Sequence, residues 1–139
     1  MQKDQNIDEA NILADDRHCF ACGKTNSIGL KLGFTYKAEK ANTSISFNVD
    51  HQGWVGVVHG GLVSTVLDEC MAHTIRKHIG SAVTASMNVR FRRPVPVGEL
   101  ILFVGEIVRR RGKVIETRAS AILPDQTVAA EATAIFMLI

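Results

Sequence analysis

Long apolar runs are missing from this chain. No stretch approaches the ~18–20 consecutive apolar residues that span a bilayer, although 46% of the 139 residues are hydrophobic. No membrane partner is therefore expected, and the apolar surface has to be buried in a core or against another subunit. Proline (3) and aromatic residues (6%) are scarce, and the rest of the composition is near the globular average, which sets aside collagen-like and disordered classes. Cysteine is scarce too, and its number, 3, is odd, which argues against a disulfide scaffold. The opening stretch Met1 to Asp16 is acidic and polar and has no apolar leader segment, so a reducing cytoplasm is the expected compartment. Charge of one sign is likewise lacking. With 16 Lys and Arg against 14 Asp and Glu, the net charge of +2 is too small by itself to imply a polyanion partner. The length fits one domain of ~100–200 residues.

An acidic segment, 1–16, is expected to precede a single domain over 17–139. The segment reads either as a short helix packed on the domain or as a frayed arm. Arg17 to Gly29, rich in Cys, Gly and Asn, reads as an ordered loop. Leu30 to Lys37 and Thr43 to Val49 read as strands, the second on the alternation of Ile45, Phe47 and Val49 with polar residues. From Gly60 to about Ile79 the period becomes helical. Val63, Val66, Leu67, Cys70, Thr74 and Lys77 share a face, while Leu62, Met71 and Ile75 widen the stripe. A helix apolar nearly all round is a buried one. Four more strands are expected, Val83 to Arg92, Glu99 to Arg110, Lys113 to Leu123 and Thr127 to Leu138, in an antiparallel meander. The last three are joined by tight turns at Arg111-Gly112 and Pro124-Asp125-Gln126. The expected class is α+β, one antiparallel sheet wrapped around a long central helix.

His59-Gly60-Gly61 stands where a loop enters that helix. Two glycines there allow close approach of a ligand to backbone, and the first helical N–H groups lack intrahelical acceptors. Such a terminus suits a developing oxyanion; the plainer reading is a tight loop-to-helix turn. Asp68 follows Gly61 by seven residues, about two turns, on a face of small, mostly uncharged residues. A carboxylate there is paired, at an edge, or functional, since an unpaired buried charge costs several kcal/mol. Glu69 points about 100° away and reads as a rim or intersubunit ion-pair partner.

The run His59-Gly60-Gly61-Leu62-Val63-Ser64-Thr65-Val66-Leu67-Asp68-Glu69 resembles the HGG-x6-D helix opening of hotdog-fold acyl-CoA thioesterases of the phenylacetate-pathway and thioesterase-superfamily type. Cys19-Phe20-Ala21-Cys22-Gly23 with Asn26 and Gly29-Leu30 is similar to the N-terminal signature of one branch. Thr84-Ala85-Ser86-Met87-Asn88-Val89-Arg90-Phe91, followed by Arg92-Arg93-Pro94, resembles the strand and junction after the hotdog helix. The resemblance covers residues 18 to 139. It implies a hotdog fold and hydrolysis of a small or medium acyl- or aryl-CoA thioester without a cofactor or metal. It also implies a homodimer or homotetramer whose sites draw on two subunits. It assigns Gly60 and Gly61 as N–H donors to the thioester oxygen and Asp68 as general base or nucleophile. Thr84 would place the water or the carboxylate, and His59 would support the loop or polarise the carbonyl. Some relatives place an Asn where this chain has Gly53, six residues before His59; Gln52 is the candidate stand-in. Gln52, Gly53 and Ser86, with Arg92 and Arg93, are the expected substrate contacts.

Basic residues concentrate late: Arg90, Arg92, Arg93, Arg109, Arg110, Arg111, Lys113 and Arg118 are eight of the sixteen Lys and Arg. A solvated sheet face explains them, and the functional reading is a rim for the phosphates of coenzyme A. A nucleic-acid groove is disfavoured because aromatics are not interleaved. Cys19-x-x-Cys22 behind His18 has no second CxxC or HxxxH pair to complete a metal site, and the similar branch carries it as a structural loop. Cys70 reads as a small core residue. His51 would line the site or end a strand; His73 and His78 read as solvent or interface residues. The rival functions are a hotdog hydratase or dehydratase and a non-catalytic acyl-CoA-binding module.

Overall fold

The computed structural model describes residues 13–139. Most of the expected N-terminal helix or arm therefore lies outside the described residues. Six strands and one long helix follow: β1 (Thr35–Lys37), β2 (Lys40–Ser46), α1 (Gly60–His78), β3 (Ala82–Phe91), β4 (Leu100–Arg111), β5 (Val114–Ile122) and β6 (Val128–Leu138). All strand pairs are antiparallel, in the order β1-β2-β4-β5-β6-β3. α1 lies across one face of this sheet, against β2 through β6. This is the α+β hotdog arrangement.

The sheet can hold a helix this closely because its inner face is built from small residues between larger ones. Ala119 and Ala121 on β5 and Ala130, Ala132 and Ala134 on β6 are buried, with Ile101, Phe103, Ile115 and Phe136 filling the flanks. Closest approach is at Gly105 on β4, where a Cβ would lie 2.7 Å from the Cys70 carbonyl. From α1, Val63, Val66, Leu67, Cys70, Met71, Thr74 and Ile75 are buried. Each large apolar side chain so buried contributes roughly 1.5–3 kcal/mol. Thr74 is accommodated because its hydroxyl donates to the carbonyls of Cys70 (2.9 Å) and Gly105 (3.2 Å). Among the described residues no helix is long and apolar enough to cross a membrane.

Four expectations need correction. The strand read over Leu30 to Lys37 shrinks to β1, because the amides of Leu30 and Leu32 donate to Phe20 and Ala21 of the cysteine loop (2.8 and 2.9 Å) instead of to a strand. The second strand ends at Ser46. Phe47 is core, but Val49 is 65% exposed and starts a short 3-10 turn, Val49–His51, capped by Asn48. Lys77 is exposed rather than on the buried face, and the side of α1 away from the sheet is only half covered. Finally, only β4, β5 and β6 form a meander. β3 pairs with β6 at the far edge, because the helix before it delivers the chain across the sheet.

Candidate active site

The loop leading into α1 is held by short-range bonds. Asn48 Oδ1 accepts from the Asp50 amide, and the Asn48 amide donates to His51 Nδ1 at 3.1 Å. His51 is thus a cap. Gln52 Oε1 accepts from the Gly56 amide at 3.0 Å, closing the turn that displays Trp54 and Val55. The Val58 amide donates to Val95 O (2.9 Å), fixing the loop to the segment after β3.

His59 is the N-cap of α1: its Nδ1 accepts from the Gly61 amide at 2.9 Å. Its carbonyl takes the amides of Leu62 (2.9 Å) and Val63 (3.2 Å). Three of the first helical N–H groups are thereby satisfied, Gly61's among them. The Gly60 amide has no acceptor among the described residues, which leaves one donor at the positive end of the helix. Gly60 lines a cavity of about 730 Å³ together with Gly53, Trp54, His59, Phe91 and Arg92. Trp54 and Phe91 are 84% and 52% exposed, so the cavity is wide and apolar at its rim. Gln52 is not among its lining residues.

Asp68 stands two turns further on, half-buried. Thr84 Oγ1 donates to Asp68 Oδ1 at 2.7 Å. Burial pushes the Asp68 carboxyl above the usual carboxylate value; the Thr84 hydrogen bond opposes this, and the charge of Glu69 adds to the rise. Thr84 reaches Asp68 through a bulge. The β3–β6 register shifts between Thr84 and Ser86, leaving Ala85 unpaired. Thr84 sits opposite buried Phe136, and Met87, Val89 and Phe91 sit opposite Ala134, Ala132 and Ala130, all on the helix side. Plain alternation cannot put Thr84 and Met87 on one face; the extra residue does. Ser86 sits opposite Ile135 on the outer face, away from Asp68 and Gly60.

Eight residues of helix separate Gly60 from Asp68, a rise of ~12 Å at ~1.5 Å per residue. Within one chain the free amide and the carboxylate do not converge on one carbonyl.

Arg92 and Arg93 line the cavity, and both are ion-paired: Arg92 with Glu131, and Arg93 with Asp125 at 3.4 Å. Arg109 pairs with Glu116 (2.7 Å) and Arg118 with Glu106 (2.5 Å). Four of the eight late basic residues, Arg92, Arg93, Arg109 and Arg118, are therefore paired with carboxylates on neighbouring strands and turns.

Glu69 has surroundings that its sequence neighbours do not reveal. It is no rim residue: its side chain is 15% exposed and its Oε2 lies 3.1 Å from His73 Nε2 within the same helix. His73 is no solvent residue either. It stacks on Phe34 with ring centroids 4.0 Å apart, and its Nδ1 lies 3.1 Å from the Tyr36 hydroxyl. Burial raises the Glu69 carboxyl, but the hydrogen bonds from His73 and Cys22 outweigh it, and the group lies below its usual range. The i,i+4 spacing of Glu69 and His73 was the available signal. The cysteine loop packs against this pair, and Cys19 Sγ donates to Glu69 Oε2 at 3.8 Å.

The sequence description of the thioesterase superfamily matches residues 55–130, from the exposed loop through most of the sheet. Acyl-coenzyme A thioesterase THEM4 of Mus musculus is 30% identical over 120 residues, covering 81% of this chain and 52% of that protein. The chain thus spans about half the length of the curated relatives it matches. A solved thioesterase superfamily protein superposes with a TM-score of 0.83 at 20% identity, covering 95% of this chain and 71% of that one. The Streptococcus mutans protein smu.793, solved bound to acetyl CoA, superposes with a TM-score of 0.73 at 15% identity over 78% of this chain and 88% of that one. With more than half of its length matched by the family and the same helix-on-sheet fold, the chain belongs to the thioesterase superfamily.

Proposed function

We propose that the protein hydrolyses an acyl-CoA thioester, small to medium acyl or aryl, to the free acid and coenzyme A. In this reading it acts as a homo-oligomer whose sites each combine Gly60 of one chain with Asp68 of another. The observation that carries it is the Gly60 amide, left without an acceptor at a helix N-terminus facing a 730 Å³ cavity. A preorganised donor aimed at the oxygen where charge develops is worth roughly 2.7–4 kcal/mol to the transition state. His59 positions that amide by capping the next one. Asp68, as general base, takes a proton from water as the water oxygen bonds to the carbonyl carbon. Collapse of the tetrahedral intermediate breaks the C–S bond, and the thiolate takes up the proton. As nucleophile, the Asp68 carboxylate would instead attack the carbonyl carbon and expel the coenzyme A thiolate as the C–S bond breaks; water then opens the resulting anhydride to the free acid and the Asp68 carboxylate, its released proton going to the thiolate. Thr84 fixes the carboxylate's orientation in either route. The ~12 Å between Gly60 and Asp68 along one helix is the reason for invoking a second copy.

Support for the substrate class comes from the mouse relative's name and from the acetyl CoA bound to the Streptococcus mutans neighbour. Gly53 leaves room on the cavity wall. Arg92 and Arg93 line the cavity, and in this reading they exchange their carboxylate partners for phosphates of coenzyme A. Free-thiol release over a panel of acyl- and aryl-CoAs tests the proposal on purified protein. Turnover of at least one thioester is expected. Loss of enoyl-CoA absorbance without thiol release, or binding without turnover, would overturn it in favour of a hydratase or a binding module.

A further inference from the structure

The Cys19-x-x-Cys22 turn has no second CxxC or HxxxH pair in the chain, but the fold brings a distant carboxylate to it. The sulfurs of Cys19 and Cys22 and a carboxylate oxygen of Glu69 lie within 4.8 Å of one another. We propose that Cys19, Cys22 and Glu69 form a zinc-binding site, with the fourth position of the ion open to the adjoining cavity.

Three independent features point there. First is the donor chemistry: two thiolates and a carboxylate suit Zn²⁺, with bonds of ~2.3 Å to sulfur and ~2.0–2.2 Å to oxygen. Ligand atoms of such a tetrahedron stand ~3.5–4 Å apart. Cys19 Sγ and Glu69 Oε2 are already at 3.8 Å, and the remaining contraction is within side-chain rotation.

Second, the turn holds its sulfurs in place. The amides of Ala21 and Cys22 both point at Cys19 Sγ, at 3.3 and 3.5 Å. Two N–H groups thus converge on one sulfur, which fixes its position in the turn. Gly23 closes the turn by donating to Cys19 O at 2.9 Å. A Cβ there would stand 2.4 Å from the Cys19 nitrogen and 2.5 Å from the Arg17 carbonyl oxygen, so no other residue fits. Asn26 Nδ2 donates to His18 O (3.1 Å), and the Leu30 amide donates to Phe20 O (2.8 Å). The two sulfurs are thus held on a rigid frame before any ion arrives.

Third, the carboxylate is held in place through the same oxygen that faces Cys19. His73 Nε2 holds Glu69 Oε2, and His73 is itself locked by Phe34 and Tyr36. Supporting contacts of this kind fix the ligands of metal sites. A cavity of about 330 Å³, also bordered by Asp15 and Arg76, gives the ion and a bound water a way in.

The test uses the whole chain, stripped with a chelator under reducing conditions and titrated with Co²⁺, then Zn²⁺. Uptake of one Co²⁺ per chain is expected, with a thiolate-to-cobalt charge-transfer band that Zn²⁺ bleaches. Zinc is also expected to protect Cys19 and Cys22 from alkylation, read by peptide mass spectrometry. Glu69→Gln keeps both thiols and is expected to weaken zinc at least ~10-fold; His73→Gln is expected to weaken it ~10-fold. Absence of the thiolate band in the wild-type chain overturns the site, as does an unaltered affinity in folded Glu69→Gln. So does conversion of the two cysteines to a disulfide with no metal uptake. The wild-type titration decides even where a variant fails to fold. None of these three residues has a place in the proposed hydrolysis, so the outcome is independent of it.

Discussion

Asp68 carries two opposed demands. Burial lifts its carboxyl above the usual carboxylate value, so its folded-state pKa exceeds its unfolded one. The ionised group therefore costs stability at neutral pH, and the cost fades as pH falls through the folded value. Asp68→Asn keeps an oxygen to accept from Thr84 and removes the charge. Its melting temperature at neutral pH is expected to equal or exceed that of the wild type, while kcat for thiol release falls by ~10²-fold or more. Wild-type kcat in this variant would remove Asp68 from the mechanism. Glu106 shows the opposite sign. The Arg118 hydrogen bond holds its carboxyl below the usual range, with Lys40 assisting. Its stabilisation is present above the unfolded pKa of ~4.3 and is lost as pH falls through the folded value. Glu106→Gln is expected to cost about 0.2–1 kcal/mol at neutral pH, with melting curves of the two proteins converging in acid.

At the scale of elements, the contact between α1 and β4 is the tightest. A Cβ on Gly105 meets backbone atoms of Cys70 at 2.7 Å, which no rotamer change relieves. Gly105→Ala is expected to destabilise by ~1–3 kcal/mol or more, seen as a lower denaturant midpoint. The β1–β2 hairpin turns through Ala38 and Glu39, both at positive φ (52° and 63°). Left-handed backbone costs a non-glycine residue roughly 1–2 kcal/mol. Replacing the pair by Asn-Gly, which suits such a turn, is expected to raise the melting temperature without altering activity. The element limits of β3 to β6 were legible within a residue or two, since alternation and the Gly112 and Pro124 turns mark them locally. The partner of β3 was not, because strand order depends on where a helix returns the chain.

For the whole molecule, the half-covered helix face, the edge strand β3 and the exposed Trp54 and Val55 (84% and 91%) are surfaces available to the proposed homo-oligomer. A cross-chain site makes a specific expectation. Gly60→Val crowds the space 3.4 Å from Phe91 and spoils one half of the site; Asp68→Asn spoils the other. Mixed after dissociation and reassociation, two inactive variants are expected to recover activity, approaching a quarter of the wild type for random dimers. Half of the dimers are then mixed, and each carries one intact site of two. No recovery in demonstrably mixed oligomers would place both halves in one chain.

Local physics determined much of this protein from the sequence alone. The helical stripe from Val63 to Ile75, the glycines after His59 and the spacing to Asp68 follow from neighbours within a few turns, and such patterns survive in a linear string. The tertiary structure decided the rest, because those features depend on groups far apart in the chain. It turned Thr84 toward Asp68 by a bulge at Ala85 and sent Ser86 to the opposite face. His59 capped Gly61 and left Gly60 as the free donor. Packing also set Glu69, which in the sequence reads as a rim or intersubunit ion-pair partner, beside two sulfurs some fifty residues away. Spacing along a chain carries no information about that meeting; only the packing of the N-terminal loop on α1 brings it about.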